Sequence, residues 1–281
     1  MKAPSRQRPE ARARSWCRRL PDVDPETPSM PRVAADLPTA GDAPTRATDP
    51  ATDAPPAPPA APRQRWRLVV GRAADAPPLS GRDLTEAWDA ALDASGLPIH
   101  RPTGRPRSRA AFGAPLPTTM AAERELIDLV LTDLVPAWVV RECLVARLPT
   151  GWRLVDLHDV WLGAPPLAGQ VAAADYRIDL GTADRSVVAS AAADLLAAGG
   201  LPRERAKGAA TVQYDLRPLL IDVRIGDPGP PLLLHTRTRF HPELGTGRPE
   251  EVVAALGAAA GKTFELKSIV RERLILAEEL D

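Results

Sequence analysis

The stretch RPRSRAAFGAPLP, Arg105–Pro117, carries arginine at alternate positions and ends in the sequence Pro-Leu-Pro. Alternation with a period of two predicts a β-strand over Arg105–Phe112, because successive side chains of a strand point to opposite faces of the sheet. This strand decides the fold of the first half of the chain. With it in place, the predicted elements follow the order β-α-β-β-α-β, which is typical of ferredoxin-like folds.

The flanking sequence supplies the other elements of this order. Ser80 and Asp83 form a capping-box-like pair that predicts the start of a helix, and Gly96 predicts its end. In chain order the predicted elements are a strand over Trp66–Val70, a helix over Ser80–Gly96, the strand Arg105–Phe112, a strand over Glu125–Leu131, a helix over Pro136–Arg147 and a strand over Trp152–Trp161.

The pattern then repeats after the linker-like stretch GAPPLAGQ, Gly163–Gln170. The predicted elements are a strand over Asp175–Leu180, a helix over Asp184–Ala198, strands in TVQYDL, LLIDVRI and LLLHTRTRF, a helix over Pro249–Ala260 and a strand region over Phe264–Leu276. This half therefore has one strand more than the first. Alternatively, TVQYDL and LLIDVRI are two parts of a single strand that is broken at Pro218. The sequence therefore predicts an α+β fold of two tandem ferredoxin-like units, 65–162 and 171–281.

Residues 1–64 differ in composition from the rest of the chain. They consist mainly of Pro, Ala, Asp, Thr and Arg, and they include the run PPAPPAAP at Pro55–Pro62. Such a segment buries too little apolar surface to offset its ordering entropy. We therefore predict a disordered tail, in which Trp16 is either a stray aromatic or a docking residue.

Charge and cysteine content limit the cellular compartment and the classes of partner that the sequence predicts. The 281 residues have a formal net charge of zero, so no whole-molecule field attracts nucleic acid or membrane. The two cysteines, Cys17 and Cys143, lie in a predicted tail and a predicted helix, which argues against a structural disulfide. No signal peptide and no run of about 18 apolar residues is present. These features predict a cytoplasmic protein without a membrane partner.

The motifs of several enzyme classes are absent from the sequence. Two distant cysteines cannot hold the iron–sulfur cluster of a radical SAM enzyme, which needs three closely spaced cysteines. Zinc-site spacings, a Walker A loop, a dinucleotide-binding glycine motif and a nucleophile elbow are also missing. We therefore predict no catalytic residue, no metal site and no cofactor.

The arginines of the opening stretch are the main candidate binding residues. On a strand, Arg105, Arg107 and Arg109 would share the open face of a sheet whose helices cover the other face, while Phe112 would point into the core. Guanidinium groups bind phosphate or carboxylate bidentately, so this face would form a local anion or RNA site. The alternative is a solvated strand whose arginines pair with nearby acids such as Glu123, Glu125 or Asp128.

Two further charged residues stand out. Arg217 in DLRPL precedes a rigid proline, and it either contacts a substrate or braces a bend between strands, the latter being favoured. Asp128 lies within the apolar run ELIDLVL. A buried carboxylate there needs a partner, and an arginine of the neighbouring strand is the natural one.

The chain from Trp66 onward resembles a radical-SAM-associated bacterial family, a domain of unknown function. The resemblance rests on several stretches in a fixed order: PLSGRDLTEAWDAAL, GRPRSRAAFGAPLP with ERELIDLVL, ADYRIDL, YDLRPLLIDVRI and GTGRPEEVVAAL. Together they cover both halves of the chain. Two departures are the Leu79-Ser80-Gly81 triplet, where the family has a histidine, and the absence of the family's aromatic and asparagine residues around Thr103–Arg105.

The resemblance implies an accessory role beside a cobalamin-binding radical SAM protein, and gene neighbourhoods of the family point to RNA. We therefore expect a non-catalytic accessory protein that presents RNA or another anionic substrate to such a partner. The alternative is a free-standing RNA-binding module, which the low aromatic content of 4% disfavours. An enzyme in its own right is the third and least favoured reading.

Overall fold

The computed structural model describes residues 60–101, 109–207 and 210–280. The first half contains β1 (Gln64–Arg72), α1 (Gly81–Ala94), β2 (Ala111–Phe112), β3 (Ala121–Leu131), α2 (Ala137–Val145) and β4 (Trp152–Val160). The second contains β5 (Val171–Asp179), α3 (Arg185–Ala197), β6 (Pro202–Lys207), β7 (Ala210–Asp215), β8 (Leu220–Ile225), β9 (Leu233–His241), β10 (Gly245–Thr246), α4 (Pro249–Ala260) and β11 (Ser268–Leu276). The protein is therefore a mixed α+β fold.

The described elements of the first half follow the predicted order. The side chain of Ser80 accepts a hydrogen bond from the backbone N–H of Asp83, which confirms the predicted helix cap. Of the strand predicted over Arg105–Phe112, the described residues are 109–112, and among these only Ala111 and Phe112 form a strand, β2. Residues 102–108 lie outside the described ranges, as does the predicted tail up to residue 59.

The second half contains a hairpin that the sequence did not reveal. The stretch PRERAK forms β6, which pairs with β7 in a separate two-stranded sheet. A short 3-10 turn over Arg217–Leu219 separates β7 from β8. The two candidate halves of a broken strand thus belong to different sheets. The strands β8 and β9 form an antiparallel hairpin across the stretch GDPGP.

Nine of the described strands form one continuous, mostly antiparallel sheet in the order β10-β9-β5-β11-β3-β1-β4, with β2 paired to β3 and β8 to β9. The two halves meet where β11 pairs in parallel with β3, at Val270 opposite Ala121 and Arg271 opposite Ala122. Because β2 pairs only with Ile127 and Asp128, the first residues of β3 remain available to β11.

Three apolar clusters hold the described residues together. In the first half, β1, β3, α1 and α2 enclose one core, and in the second half the strands pack against α3 and α4 in another. A third cluster joins the halves and includes Met120, Leu167, Tyr176 and Leu274. The described helices are too short or too polar to cross a membrane.

Trp88 of α1 lies at the centre of the first core. It is fully buried, and its ring meets Phe112 at 6.0 Å and Trp152 at 5.5 Å between centroids, both edge to face. Edge-to-face pairs add stabilisation beyond the area that they bury. Phe112 therefore points into the core, as predicted.

Replacing Trp88 with alanine is expected to lower the free energy of unfolding by about 3–5 kcal/mol, because it opens a large cavity in this core. Trp161 is 78% exposed, so Trp161→Ala is the matched control and should change stability by about 0.5 kcal/mol or less. Urea unfolding followed by far-ultraviolet circular dichroism measures both. Equal effects of the two substitutions would contradict the central role of Trp88.

Candidate functional site

A buried ion pair connects the two halves at the seam of the sheet. The guanidinium of Arg271 on β11 donates from Nε and Nη2 to the two carboxylate oxygens of Glu125 on β3, at 2.6 and 2.5 Å. Both side chains are at most 2% exposed. A third donor, Nη1, binds the carbonyl of Pro115 at 2.9 Å. Arg271 therefore fixes β11, β3 and the segment after β2 relative to one another.

Tyr176 of β5 lies beside this pair and is buried. Tyr176 lies directly opposite Arg271 in the pairing of β5 with β11. Burial raises the pKa of the Tyr176 phenol above its ordinary value of 10.0, since the phenolate would be desolvated. The negative charges of Glu125 and Glu250 raise it further, while Arg271 acts in the opposite direction. The phenol therefore stays protonated and keeps a proton to donate.

A cavity of about 570 Å³ opens above Arg271 and Tyr176, between the two halves. The first half contributes the segment Pro115–Pro117 and Met120. The second half contributes Phe240, the turn after it and the beginning of α4. The lining residues are Pro115, Leu116, Pro117, Met120, Tyr176, Phe240, Thr246, Gly247, Arg248, Pro249, Glu250, Glu251 and Arg271.

Three of the stretches that carry the family resemblance converge on this cavity. GRPRSRAAFGAPLP supplies the segment Pro115–Pro117, ADYRIDL supplies Tyr176, and GTGRPEEVVAAL supplies Thr246–Glu251. A fourth stretch, ERELIDLVL, supplies Glu125 to the ion pair beneath. Segments more than 100 residues apart in sequence thus meet around one space, and this is the candidate functional site.

Arg109 lies elsewhere and does not occupy a strand. Its guanidinium contacts the carboxylate of Asp93 on α1, with Nη2 at 2.6 Å from Oδ2, and it also binds the carbonyl of Asp89. The hydrogen bond from Arg109 lowers the pKa of Asp93 below its ordinary value. The predicted placement of Arg109 on an open sheet face is therefore wrong, because two acids one helical turn apart hold it against α1. Arg105 and Arg107 lie outside the described residues.

Arg217 braces the second half. Its three nitrogen atoms donate to the carbonyls of Leu196 and Ala198 at the end of α3, and of Leu220 at the start of β8, at 2.9–3.1 Å. This geometry is the bracing arrangement that the sequence analysis favoured. Arg109 and Arg217 contact different helices in different halves, so they do not meet in one site. Anion binding by these arginines stays a prediction.

The sheet face that lacks helices is charged, and its charges are largely paired. Arg65 and Arg67 of β1 both bind Asp128, with Nε–O distances of 2.9 and 2.8 Å, so the predicted arginine partner of Asp128 is present. Across the seam, Asp175 binds Arg237 and Arg273. These pairs leave few free guanidinium groups among the described residues of this face.

Sequence reasoning missed Arg271, Arg248 and Tyr176 as site residues. The available signal was Glu125, a carboxylate inside the apolar strand ELIDLVL, which requires a cationic partner once buried. The sequence could not say that this partner lies 146 residues away. That information is contained in the pairing of β11 with β3.

A comparison with known protein families shows which family the chain belongs to. The sequence model of one protein family, described as an uncharacterized protein conserved in bacteria (DUF2344), matches residues 65–252. The protein belongs to this family. The DUF2344 match includes every cavity-lining residue except Arg271.

No curated protein matches this DUF2344 member. Among solved structures, it is similar to a chain in the crystal structure of a Cbf5-Nop10-Gar1 complex, with a TM-score of 0.40 and 10% sequence identity. The alignment covers 74% of this chain and 49% of the other, so the protein spans about half the length of that chain. At this TM-score the similarity carries no functional argument.

Removal of the Glu125 carboxylate should destabilise the protein strongly. We expect Glu125→Ala to cost about 3–5 kcal/mol, because it leaves the Arg271 guanidinium buried without a counter-ion. Glu123→Ala on the same strand is the control: Glu123 pairs with Arg177 at the surface, where about 0–1 kcal/mol is expected. The double change Glu125→Leu with Arg271→Met should recover much of the loss. Urea unfolding of all variants tests this, and a mild effect of Glu125→Ala alone would contradict it.

Tyr176 should ionise at a higher pH than free tyrosine. The chain has two tyrosines, so Tyr214→Phe leaves Tyr176 as the single phenol. Burial raises the pKa of Tyr176 in the folded state, so the protonated phenol favours the folded state. This contribution to the free energy of unfolding is fully present below pH 10.0 and is lost as the pH rises through the folded-state pKa. Phenolate absorbance during an alkaline titration measures the midpoint. A midpoint at or below 10.0 before unfolding would refute the raised pKa.

Proposed function

We propose that the protein is a non-catalytic accessory protein that presents RNA or another anionic substrate to a cobalamin-type radical SAM enzyme in the cytoplasm. The observation that supports the proposal is the convergence of three resemblance-bearing stretches on one cavity between the halves. A substrate-holding role needs a shaped space with a few fixed polar groups, and the cavity offers both. The radical SAM partner enters the proposal through the resemblance alone.

We also propose that each half is a ferredoxin-like unit. In the first half the spatial strand order is β4-β1-β3-β2, and in the second it is β11-β5-β9-β8. Numbered within each half, and leaving out β6, β7 and β10, both orders read 4-1-3-2, and in each half one helix follows the first strand and one follows the third. This is the strand order expected for a split β-α-β arrangement. The two units then share one sheet through the β11–β3 pair.

The position of the cavity suits presentation of a substrate. Its sides come from both units, whereas its floor is fixed by the Arg271–Glu125 pair. The guanidinium of Arg248 has no hydrogen bond or ion pair within the described part of the chain, so it remains available to a ligand. A substrate seated there would be held by a rigid floor and would remain open to a partner enzyme from outside.

Co-purification tests this function directly. Tagged full-length protein, expressed in a bacterium that encodes it, is expected to recover a radical SAM protein together with RNA. Arg248→Glu should lower the recovered RNA several-fold, since it reverses the charge of the free guanidinium. Arg224→Glu is the control, because Arg224 is 70% exposed on β8 and is absent from the cavity lining.

Each result of the co-purification has a distinct meaning. Recovery of neither a radical SAM protein nor RNA would refute the proposal. RNA without a radical SAM protein would favour a free-standing RNA-binding module instead. Equal RNA loss in Arg248→Glu and Arg224→Glu would contradict the assignment of the cavity as the binding site.

A further inference from the structure

The cavity has an apolar part suited to a flat ring. Leu116 and the prolines beside it line the side from the first half, and the partly buried ring of Phe240 lines the side from the second half. Aromatic rings exposed in such positions stack with nucleobases, and the interaction tolerates any base because each has a π-face. The volume of about 570 Å³ lies within the usual range of small-molecule sites, about 300–1,000 Å³.

The polar groups of the cavity suit a ligand with one anionic end. Arg248 supplies a guanidinium with no partner among the described residues. Tyr176 contributes a phenol to the lining, whose O–H can donate a hydrogen bond to a ligand. Glu250 adds a carboxylate that can accept from the amino or imino N–H of a base.

The charge of the cavity argues against a simple anion as its ligand. The lining contains two arginines and two glutamates, Arg248, Arg271, Glu250 and Glu251, so its formal charge balances. Arg271 is already neutralised by Glu125, and Glu251 lies 3.4 Å from Arg203. A bare phosphate would meet one free guanidinium and a nearby carboxylate. The affinity of a ligand must therefore come from the contacts of a flat ring in the ligand as well as from the charge of Arg248.

We propose that this cavity binds a single unpaired nucleotide, with its base against Phe240 and its phosphate at Arg248. The inference rests on the proposed function and specifies the form in which an RNA substrate enters the site. A base must leave its helix or lie in a single strand to reach such a space. The balanced charge of the chain fits this mode, since recognition then depends on one nucleotide rather than on many phosphates.

Titration calorimetry of the full-length protein tests the site without any partner. The probes are adenosine 5′-monophosphate, uridine 5′-monophosphate, adenosine, ribose 5-phosphate and inorganic phosphate. Both nucleotides are expected to bind, and ribose 5-phosphate and phosphate should bind at least about tenfold more weakly. Phe240→Leu should weaken nucleotide binding about fivefold or more, the loss expected for one base stack, whereas Phe240→Tyr keeps the ring and the affinity.

A second variant separates the phosphate contact from the base contact. Arg248→Gln should lower the affinity for adenosine 5′-monophosphate to that for adenosine, and leave adenosine binding unchanged. Added salt should weaken nucleotide binding by the wild type, because it screens the contact between the phosphate and Arg248, and should weaken binding by this variant less. Circular dichroism confirms that each variant is folded.

The possible failures are distinguishable. Equal affinity for nucleotides and inorganic phosphate, or no nucleotide binding at millimolar concentration, would overturn the nucleotide site. If RNA and a radical SAM protein still co-purify in that case, the proposed function survives and the RNA binds elsewhere. Nucleotide binding that depends on Phe240, without any radical SAM protein in the co-purification, would support the site and refute the accessory role.

Discussion

The structure depends on the buried contact between Arg271 and Glu125. An ion pair with both side chains at most 2% exposed gains little net stability over an apolar pair of similar shape, because desolvation offsets most of the attraction. The ion pair contributes mainly by fixing the relative position of the strands that carry it. Two parallel hydrogen bonds and a third to the Pro115 carbonyl permit only one placement of β11 beside β3. The contact therefore specifies how the two halves are joined, and with it the floor of the cavity.

The end of β2 at Phe112 makes this junction possible. In the first half, β2 occupies only a small part of the edge of β3, and β11 takes the part that β2 leaves free. A β2 that continued past Phe112 towards Pro117 would have covered that edge and kept the two sheets apart. The arginine-rich stretch before β2 was expected to belong to the same strand, but in the β2–β3 register that extension would run towards Leu131, away from β11. Arg109 instead reaches Asp93 on α1, and among residues 109–112 the first to pair with β3 is Ala111.

Local features were predictable from the sequence, and pairings between distant segments were not. The cap at Ser80, the inward position of Phe112 and the arginine partners of Asp128 each follow from a rule that acts over a few residues or between adjacent strands. The strand β6 reads as a polar segment, PRERAK, because it pairs outside the main sheet. The Arg271–Glu125 pair joins residues 146 positions apart, and no periodicity encodes such a register.

The pairing of β11 with β3 also has a consequence for synthesis on the ribosome. The strand that completes the middle of the sheet is the last one in chain order, whereas its neighbour β3 emerges about half a chain earlier. Until β11 arrives, β3 presents open backbone groups and an unpaired Glu125. Unpaired edges of this kind invite contact with other chains. The nascent protein thus passes through an interval in which its first half is made but its central seam is open.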